Sequence, residues 1–215
     1  MKQKVVTIDE AISHVKDGMT VFIGGFLAVG TPEKLIDALI EKGVKDLTII
    51  ANDTGYPDRG IGRLVCNNQV KKVIASHIGT NPETGRKMHS GEMEVELCPQ
   101  GTLAERIRVG GNGLGGVLTP TGLGTIVAEG KEIIKVDGKE YLLEKPLRAD
   151  VALLNGSVVD EFGNIVFAKT TKNFNPMMAT AADKVIVFAE KLVKTGEIDP
   201  DHVMTSGIFV DYIVK

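Results

Sequence analysis

An open, mostly parallel, twisted α/β sheet with helices on both faces is the fold class this sequence predicts, with one β-hairpin as an excursion. Three observations carry that expectation. Short apolar runs without alternation recur along the chain (VFI, LTIIA, VIAS, VALL, VIVFA), as strands covered on both faces require. Segments with helical period lie between them. The 25 glycines among 215 residues are many for a helical bundle but suit a protein with numerous tight turns. No stretch reads as a linker, a low-complexity tract or a repeat, so residues 1–215 are expected to form a single domain.

The elements follow in order. Residues 7–10, TIDE, form a capping box. Ile8, Ala11, Ile12 and Val15 then share one helical face, and Asp17 and Gly18 end that helix. Residues 19–23 are an apolar run of strand length, followed by the glycine-rich loop GGFLAVG. Thr31 is placed as an N-cap, Pro32 at the first helical position and Glu33 in the first turn. Leu35, Ile36, Leu39 and Ile40 give that helix its buried face, and Gly43 closes it. Residues 47–51 and 73–76 read as buried strands around a short helix at 61–65. MEVEL, residues 93–97, alternates and predicts a strand with one wet face. A helix follows at 102–109, then a second glycine-rich loop, GGNGLGG, at 110–116. Residues 131–143 read as a hairpin around Asp137 and Gly138. Strands at 151–154, 165–168, 185–189 and 208–214 complete the set.

Composition excludes several functions. A net charge of −3 argues against non-specific nucleic-acid binding, which needs a basic face. The two cysteines, Cys66 and Cys98, have no Cys or His at ligand spacing and are expected to be buried free thiols. No run approaches ~18 apolar residues and the N-terminus lacks the profile of a signal peptide, so a cytoplasmic protein with no membrane association is expected. His14, on the polar side of the first helix, His77, His89 in a polar loop and His202 form no metal or triad spacing and are assigned to structure or surface.

The GGFLAVG loop fails two phosphate-cradle tests. It lacks the lysine of a P-loop, since Thr31 and Pro32 stand where that residue would be. It also lacks the G-x-G-x-x-G spacing of a dinucleotide site. Two readings remain open. Gly24, Gly25 and Gly30 either let the backbone approach a ligand beside a helix N-terminus or allow a close-packed turn between strand and helix.

Asp17-Gly18, the apolar triplet Val21-Phe22-Ile23, Gly24-Gly25-Phe26, Gly30 and Pro32 resemble the signature of family I CoA-transferases, in the form carried by α subunits or by the first half of fused members. PQGTLAERIR at 99–108, TPTG at 119–122 and NFN at 173–175 extend the resemblance, in the family's order, over essentially the whole chain. The resemblance implies that coenzyme A, as substrate and not as a tightly bound cofactor, lies against Gly24, Gly25, Phe26, Leu27, Ala28, Val29 and Gly30. It also implies a glutamate nucleophile in a Ser-Glu-Asn-Gly motif on a partner β subunit, a motif this chain does not contain. A pair of α/β heterodimers is the expected assembly. Gln100 is the first candidate for stabilising the thioester oxyanion and Asn52, at the end of LTIIA, the second. Glu94 and Glu96 are read as the wet face of a strand and Glu105 as an ion-pairing partner of Arg108; with Glu92 they are poor nucleophiles. Lys169 and Lys172 are placed either at CoA phosphates or in a solvated charged loop. The acids implied are of the acetate, butyrate and acetoacetate class. Three alternatives stand beside this: a succinyl-CoA:3-oxoacid transferase subunit, an enzyme on the related sugar-phosphate isomerase architecture, and a non-catalytic acyl-CoA-binding module.

Overall fold

The computed structural model describes residues 3–215. Its elements run α1 (Ile8–Ile12), β1 (Thr20–Ile23), α2 (Glu33–Lys42), β2 (Leu47–Ile50), α3 (Gly62–Cys66), β3 (Val70–Ala75), α4 (Pro82–Ser90), β4 (Glu94–Leu97), α5 (Gln100–Gly111), β5 (Val117–Thr119), β6 (Ile133–Val136), β7 (Lys139–Glu144), β8 (Ala149–Gly156), β9 (Val158–Asp160), β10 (Ile165–Val166), α6 (Asn175–Thr180), β11 (Ala182–Ala189), β12 (Leu192–Val193) and β13 (Tyr212–Val214). Seven strands form one sheet in the order β13-β11-β8-β1-β2-β3-β4, and every pairing within it is parallel. The chain fills the sheet outward from β1 to β4 and then returns to the other side of β1 with β8. The topological switch point therefore lies between β1 and β8, where open α/β sheets place their ligands.

Successive residues of β1 serve opposite faces. Val21 and Ile23 pack with α1, α2 and α3 in one core cluster, and Phe22 packs with α5 and α6 in the other. Both faces are thus covered, which explains why the strands read as unbroken apolar runs. The hairpin around Asp137 and Gly138 is present with φ of 48° and 79°, the geometry of a two-residue primed turn. Its strand β7 is the middle of a small sheet, β5-β7-β6. Of a third sheet, β10-β9-β12, only β10 falls within an expected strand, shortened from 165–168 to two residues; β9 and β12 are too short, at three and two residues, to show a pattern.

Local chemistry accounts for the departures from expectation. The Thr7 hydroxyl accepts from Glu10 N as a capping box should, but α1 ends at Ile12. α2 starts at Glu33 with Pro32 as its cap residue; Thr31 is buried against Gly25 and caps nothing. α4 escaped the helical pattern because its buried positions are Thr84 and Lys87, whose ammonium donates to Val65 O at 2.6 Å and to Asn68 Oδ1 at 2.6 Å. His89 belongs to this helix, not to a loop. His14 stacks on Tyr212 with ring centroids 4.4 Å apart, so it is not simply a polar-face residue. Cys98 is buried but Cys66 is exposed, because α3 turns Leu64 and Val65 inward and leaves its last residue to solvent. Residues 207–209 form a 3-10 turn, and the strand begins only at Tyr212.

Gly110 and Gly111 belong to α5, not to a loop. A Cβ on Gly110 would overlap the Leu147 carbonyl oxygen, and one on Gly111 the Thr180 hydroxyl, so this pair lets α5 lie directly on 147–148 and on α6. Gln100 and Gly111 are the first and last of the 12 residues of α5, about 16 Å apart at ~1.5 Å per residue, so these glycines do not shape the region around Gln100.

An ion network anchors the small sheet. Arg106, side chain 10% exposed, donates to Glu96 Oε1 at 2.7 Å and to Lys145 O at 2.9 Å, and lies 3.8 Å from Glu144. Lys131 holds Glu144 from the other side at 2.6 Å. Glu96 is therefore not a solvated strand residue, whereas Glu94, 67% exposed, is one and pairs with Lys72. Burial alone would raise the Glu96 carboxyl; hydrogen bonding and charge from Arg106 outweigh it and hold it below the ordinary value.

Arg106→Met is expected to cost about 3 kcal/mol and on the order of 10 °C in Tm, since it removes the buried cation that bridges Glu96 and Glu144 and leaves each with a single lysine partner. Because the folded Glu96 pKa is depressed, its contribution is full above the free-carboxylate pKa and fades as pH falls through the folded value. The gap in Tm between wild type and variant should therefore narrow on acidification. Gly110→Ala should destabilise by about 1–2 kcal/mol in urea denaturation, overpacking of ~1–3 kcal/mol outweighing a helix-propensity gain of ~1 kcal/mol. Gly85→Ala, in α4 with open space around the new Cβ, should stabilise by about 0.5–1 kcal/mol.

Candidate functional site

The loop after β1 is a two-residue hairpin. Phe26 and Val29 exchange both backbone hydrogen bonds, at 3.0 and 2.9 Å, around Leu27 and Ala28 with φ of 47° and 66°. Neither tip residue is glycine, and left-handed backbone costs an L-residue roughly 1–2 kcal/mol. Side chains from distant elements hold it there. Asp53 Oδ2 accepts from Leu27 N at 2.8 Å, and Asn173 Oδ1 accepts from Gly25 N at 3.2 Å. The Asn173 amide donates to Val29 O, and the Asn175 amide donates to Gly30 O and Thr171 O.

The three glycines make room for this chain's own atoms. A Cβ at Gly24 would overlap the Asn175 side chain, at Gly25 the Thr31 hydroxyl, and at Gly30 the Thr171 carbonyl. Gly24 and Gly25 are buried, so of the two readings left open for the glycines the close-packed turn describes what they touch. The surface the loop offers outward is Phe26, 41% exposed, and Val29, 46% exposed, with Leu27 and Ala28 half-buried between them.

The loop after β2 builds a second hairpin beside the first. Tyr56 and Arg59 pair across Pro57 and Asp58, and the spacing Gly55-Tyr56…Gly60 repeats Gly25-Phe26…Gly30. The turns differ, for neither Pro57 nor Asp58 has positive φ. Arg59 stacks on the Tyr56 ring at 4.5 Å, and a Cβ on Gly60 would lie 3.4 Å from that of Ala28. This local repeat does not stand out in the sequence, because only its glycines and the aromatic character of one position are shared.

Asp53 ties these pieces to the candidate amides. It is 4% exposed; besides Leu27 N, its carboxylate accepts from Gly55 N at 2.7 Å and from Asn52 Nδ2 at 2.7 Å. Asn52 Oδ1 in turn accepts from Gln100 Nε2 at 2.6 Å and from the Ser76 hydroxyl at 3.2 Å. The two amides picked out 48 residues apart in sequence are thus in direct contact. They are not equivalent: Asn52 is 2% exposed with both ends of its amide hydrogen-bonded, whereas Gln100 stands exposed at the start of α5 with Nε2 making one hydrogen bond among the described residues. The glutamates stand elsewhere. Glu92 is clamped by Arg86, whose hydrogen bonds bring its carboxyl down to about 2, and Glu105 by Arg108 at 2.7 Å. Among the described residues, no three His, Cys, Asp or Glu side chains gather as a metal would need, and no helix is long and apolar enough to cross a membrane.

Across the switch point from the first hairpin lies a cavity of about 640 Å³, walled by Phe26, Leu27 and Val29 on one side and by Lys169, Thr170, Lys172 and Asn173 on the other. Asp53, Asn173 and Asn175 are the residues that sequence reasoning did not assign to this site; the loop groups after β1 that they hold lie 26 to 148 residues away, beyond any local pattern.

Residues 5–215 match the Coenzyme A transferase family. The chain is 56% identical over 214 residues to the acetate CoA-transferase subunit alpha of Escherichia coli (strain K12), covering 100% of this chain and 97% of that one. It is 59% identical over 215 residues to the acetoacetyl-CoA:acetate/butyrate CoA transferase alpha subunit of Clostridium acetobutylicum, covering 100% and 99%. Its fold is similar to that of an acyl-CoA transferase from E. coli O157:H7 solved as a thioester complex with CoA, with a TM-score of 0.87 at 23% identity. That match covers 99% of this chain and 47% of the other, so the chain spans about half the length of that enzyme and the likeness concerns the fold. Matched along nearly its whole length, the chain belongs to the Coenzyme A transferase family.

Proposed function

We propose that this chain is the α subunit of a heteromeric CoA-transferase that moves coenzyme A between a short-chain acyl-CoA and a free acid of the acetate, butyrate and acetoacetate class. A β subunit supplies the glutamate nucleophile, in a cytoplasmic heterotetramer, and residues 1–215 act as one domain. The observation that carries this reading is an amide donor without an attacking group beside it. Gln100 is exposed and its amide makes one hydrogen bond among the described residues, while Asp53, the carboxylate bonded into its network, already accepts three N–H groups and is buried. A carboxylate so engaged is a scaffold, not a nucleophile.

The chemistry divides accordingly. The partner's glutamate oxygen attacks the thioester carbonyl, and the CoA thiolate leaves as a mixed anhydride forms. The thiolate then attacks the glutamyl carbonyl of that anhydride, releasing the first acid and leaving a glutamyl–CoA thioester. The incoming carboxylate reverses both steps. Each attack puts negative charge on a carbonyl oxygen, and the second N–H of the Gln100 amide is the donor this chain offers to it. Asn52 is a positioning residue that fixes the Gln100 amide. The Phe26–Val29 hairpin is the wall along which CoA lies, a role in which the glycines themselves take part only through the shape they allow. Water must be kept from both acyl intermediates, and the partner subunit closing over this strand end would provide that exclusion.

Assayed by acetoacetyl-CoA absorbance after mixing acetyl-CoA and acetoacetate, this chain should be inactive alone and active with its β subunit. Intact-mass analysis of the working mixture should find the CoA adduct on the β subunit. Activity or an adduct on this chain alone would overturn the split site. In the assembled enzyme, Gln100→Ala should lower kcat about a hundredfold with little change in the KM for acyl-CoA, the pattern of a lost oxyanion donor.

A further inference from the structure

We propose that β6 is a docking edge for a second copy of this chain, the two β6 strands pairing antiparallel across a twofold axis at Ile134. The two three-stranded sheets then become one continuous sheet. In the assembly read above, this seam joins the two α subunits, but the pairing itself is a property of this chain.

β6 lies at the margin of the sheet β5-β7-β6 and, among the described residues, pairs only with β7. Val136 and Lys139 flank the two-residue turn, and Glu132 O accepts from Leu143 N at 2.9 Å. Antiparallel partners alternate between hydrogen-bonded and open pairs, so Glu132, Ile134 and Val136 turn their backbone groups to β7. Ile133 and Lys135 turn theirs outward. Natural proteins blunt such edges with charge. β4, at the margin of the large sheet, is blunted in this way by Glu94 and Glu96, both paired with Lys72. β6 is not: it carries Ile133, 53% exposed, Val136, 41% exposed, and half-buried Ile134 against a single lysine.

The charges on this edge select both the occupant and its register. A twofold axis perpendicular to the sheet leaves every side chain on its own face, so odd positions must meet odd and even must meet even. Two registers pair three of the four β6 residues with β6 of the other copy. The first, centred on Lys135, sets two ammonium groups directly opposite each other, which destabilises it. The second is centred on Ile134 and sets Ile133 against Lys135 on either side of the axis. Those are the residues with outward backbone groups, so each such pair exchanges both hydrogen bonds. Just beyond the strand ends, Lys131 of each copy comes opposite Asp137 of the other. On one face, the row across the axis runs Tyr141, Ile134, Ile134, Tyr141, because Tyr141 is the cross-strand partner of Ile134. Aromatic and β-branched neighbours of this kind stabilise a sheet. The edge is therefore complementary to itself.

The test places a thiol on the axis. Ile134→Cys, in a Cys66→Ser background that removes the exposed native thiol, sets two sulfurs across an open pair with Cα atoms about 4.5 Å apart, within disulfide reach. Mild oxidation of the assembled two-subunit enzyme should convert most of this chain to a reducible band at twice its 23.0 kDa on a denaturing gel. Lys135→Cys in the same background should give roughly a fifth as much or less, since its partner across the seam is Ile133. In sedimentation of the wild-type chain alone, the mass should rise with concentration from 23.0 kDa toward twice that value. Ile134→Lys, with circular dichroism unchanged, should hold it at 23.0 kDa over the same range. A wild-type mass that never rises, no cross-link from Ile134→Cys, or as much from Lys135→Cys would each overturn the proposal. So would release of the β subunit by Ile134→Lys, which would give this edge to that partner. None of these readouts depends on transfer: an assembly that moves no CoA would sink the functional reading, and the seam would still be judged by its cross-link.

Discussion

One buried carboxylate organises the C-terminal edge of the sheet. Asp53 follows β2 directly and accepts from the backbone of the first hairpin, from the backbone of its own loop and from the Asn52 amide. Hydrogen bonds to a charged acceptor contribute roughly 1.5–3 kcal/mol each, enough to offset the left-handed backbone of Leu27 and Ala28. Because β1 and β2 are adjacent and parallel, their loops must emerge side by side, and a short acidic side chain can reach both. The Asn52–Gln100 contact extends the same chain of bonds to the start of α5. Asn173 and Asn175 hold the other side of the hairpin, so the loop is fixed from both flanks.

That arrangement separates two uses of glycine that look alike in a sequence. The opening loop reads as a place where backbone could meet a ligand, yet its glycines face Asn175, Thr31 and Thr171. What the absent side chains permit is the close approach of the supports, and the supports in turn present Phe26 and Val29 outward. Gly110 and Gly111 repeat the lesson in a helix, where small residues set the spacing of α5 against its neighbours. In both places glycine shapes the surface indirectly, by letting neighbouring elements come close.

The fold was legible where one local pattern decided it. Unalternated apolar strands gave the parallel sheet, and Asp137 with Gly138 gave its hairpin. α4 was illegible because the face it buries is polar, Thr84 and Lys87 being satisfied by bonds that only the folded chain supplies. The Glu96 pairing with Arg106 likewise overrides the alternation of its strand. At the site, resemblance to a known family pointed to the hairpin and Gln100, and Asn52 stood at a strand end. Neither source pointed to Asp53, whose importance lies in three partners on different segments. The second hairpin was not legible, because two short motifs sharing only glycines and one aromatic position, with unlike turn residues, do not stand out without their common position after neighbouring strands.

If the hairpin and the amides form one unit, loosening the carboxylate should loosen both together. The direct measurement is hydrogen–deuterium exchange of this chain and its Asp53→Asn variant, followed over residues 24–31 and 99–105. Faster exchange in both segments, with β8, β11 and β13 still protected, is the result expected from a shared scaffold. Faster exchange in the hairpin alone, or in neither segment, would contradict it and leave Gln100 held independently of the loop.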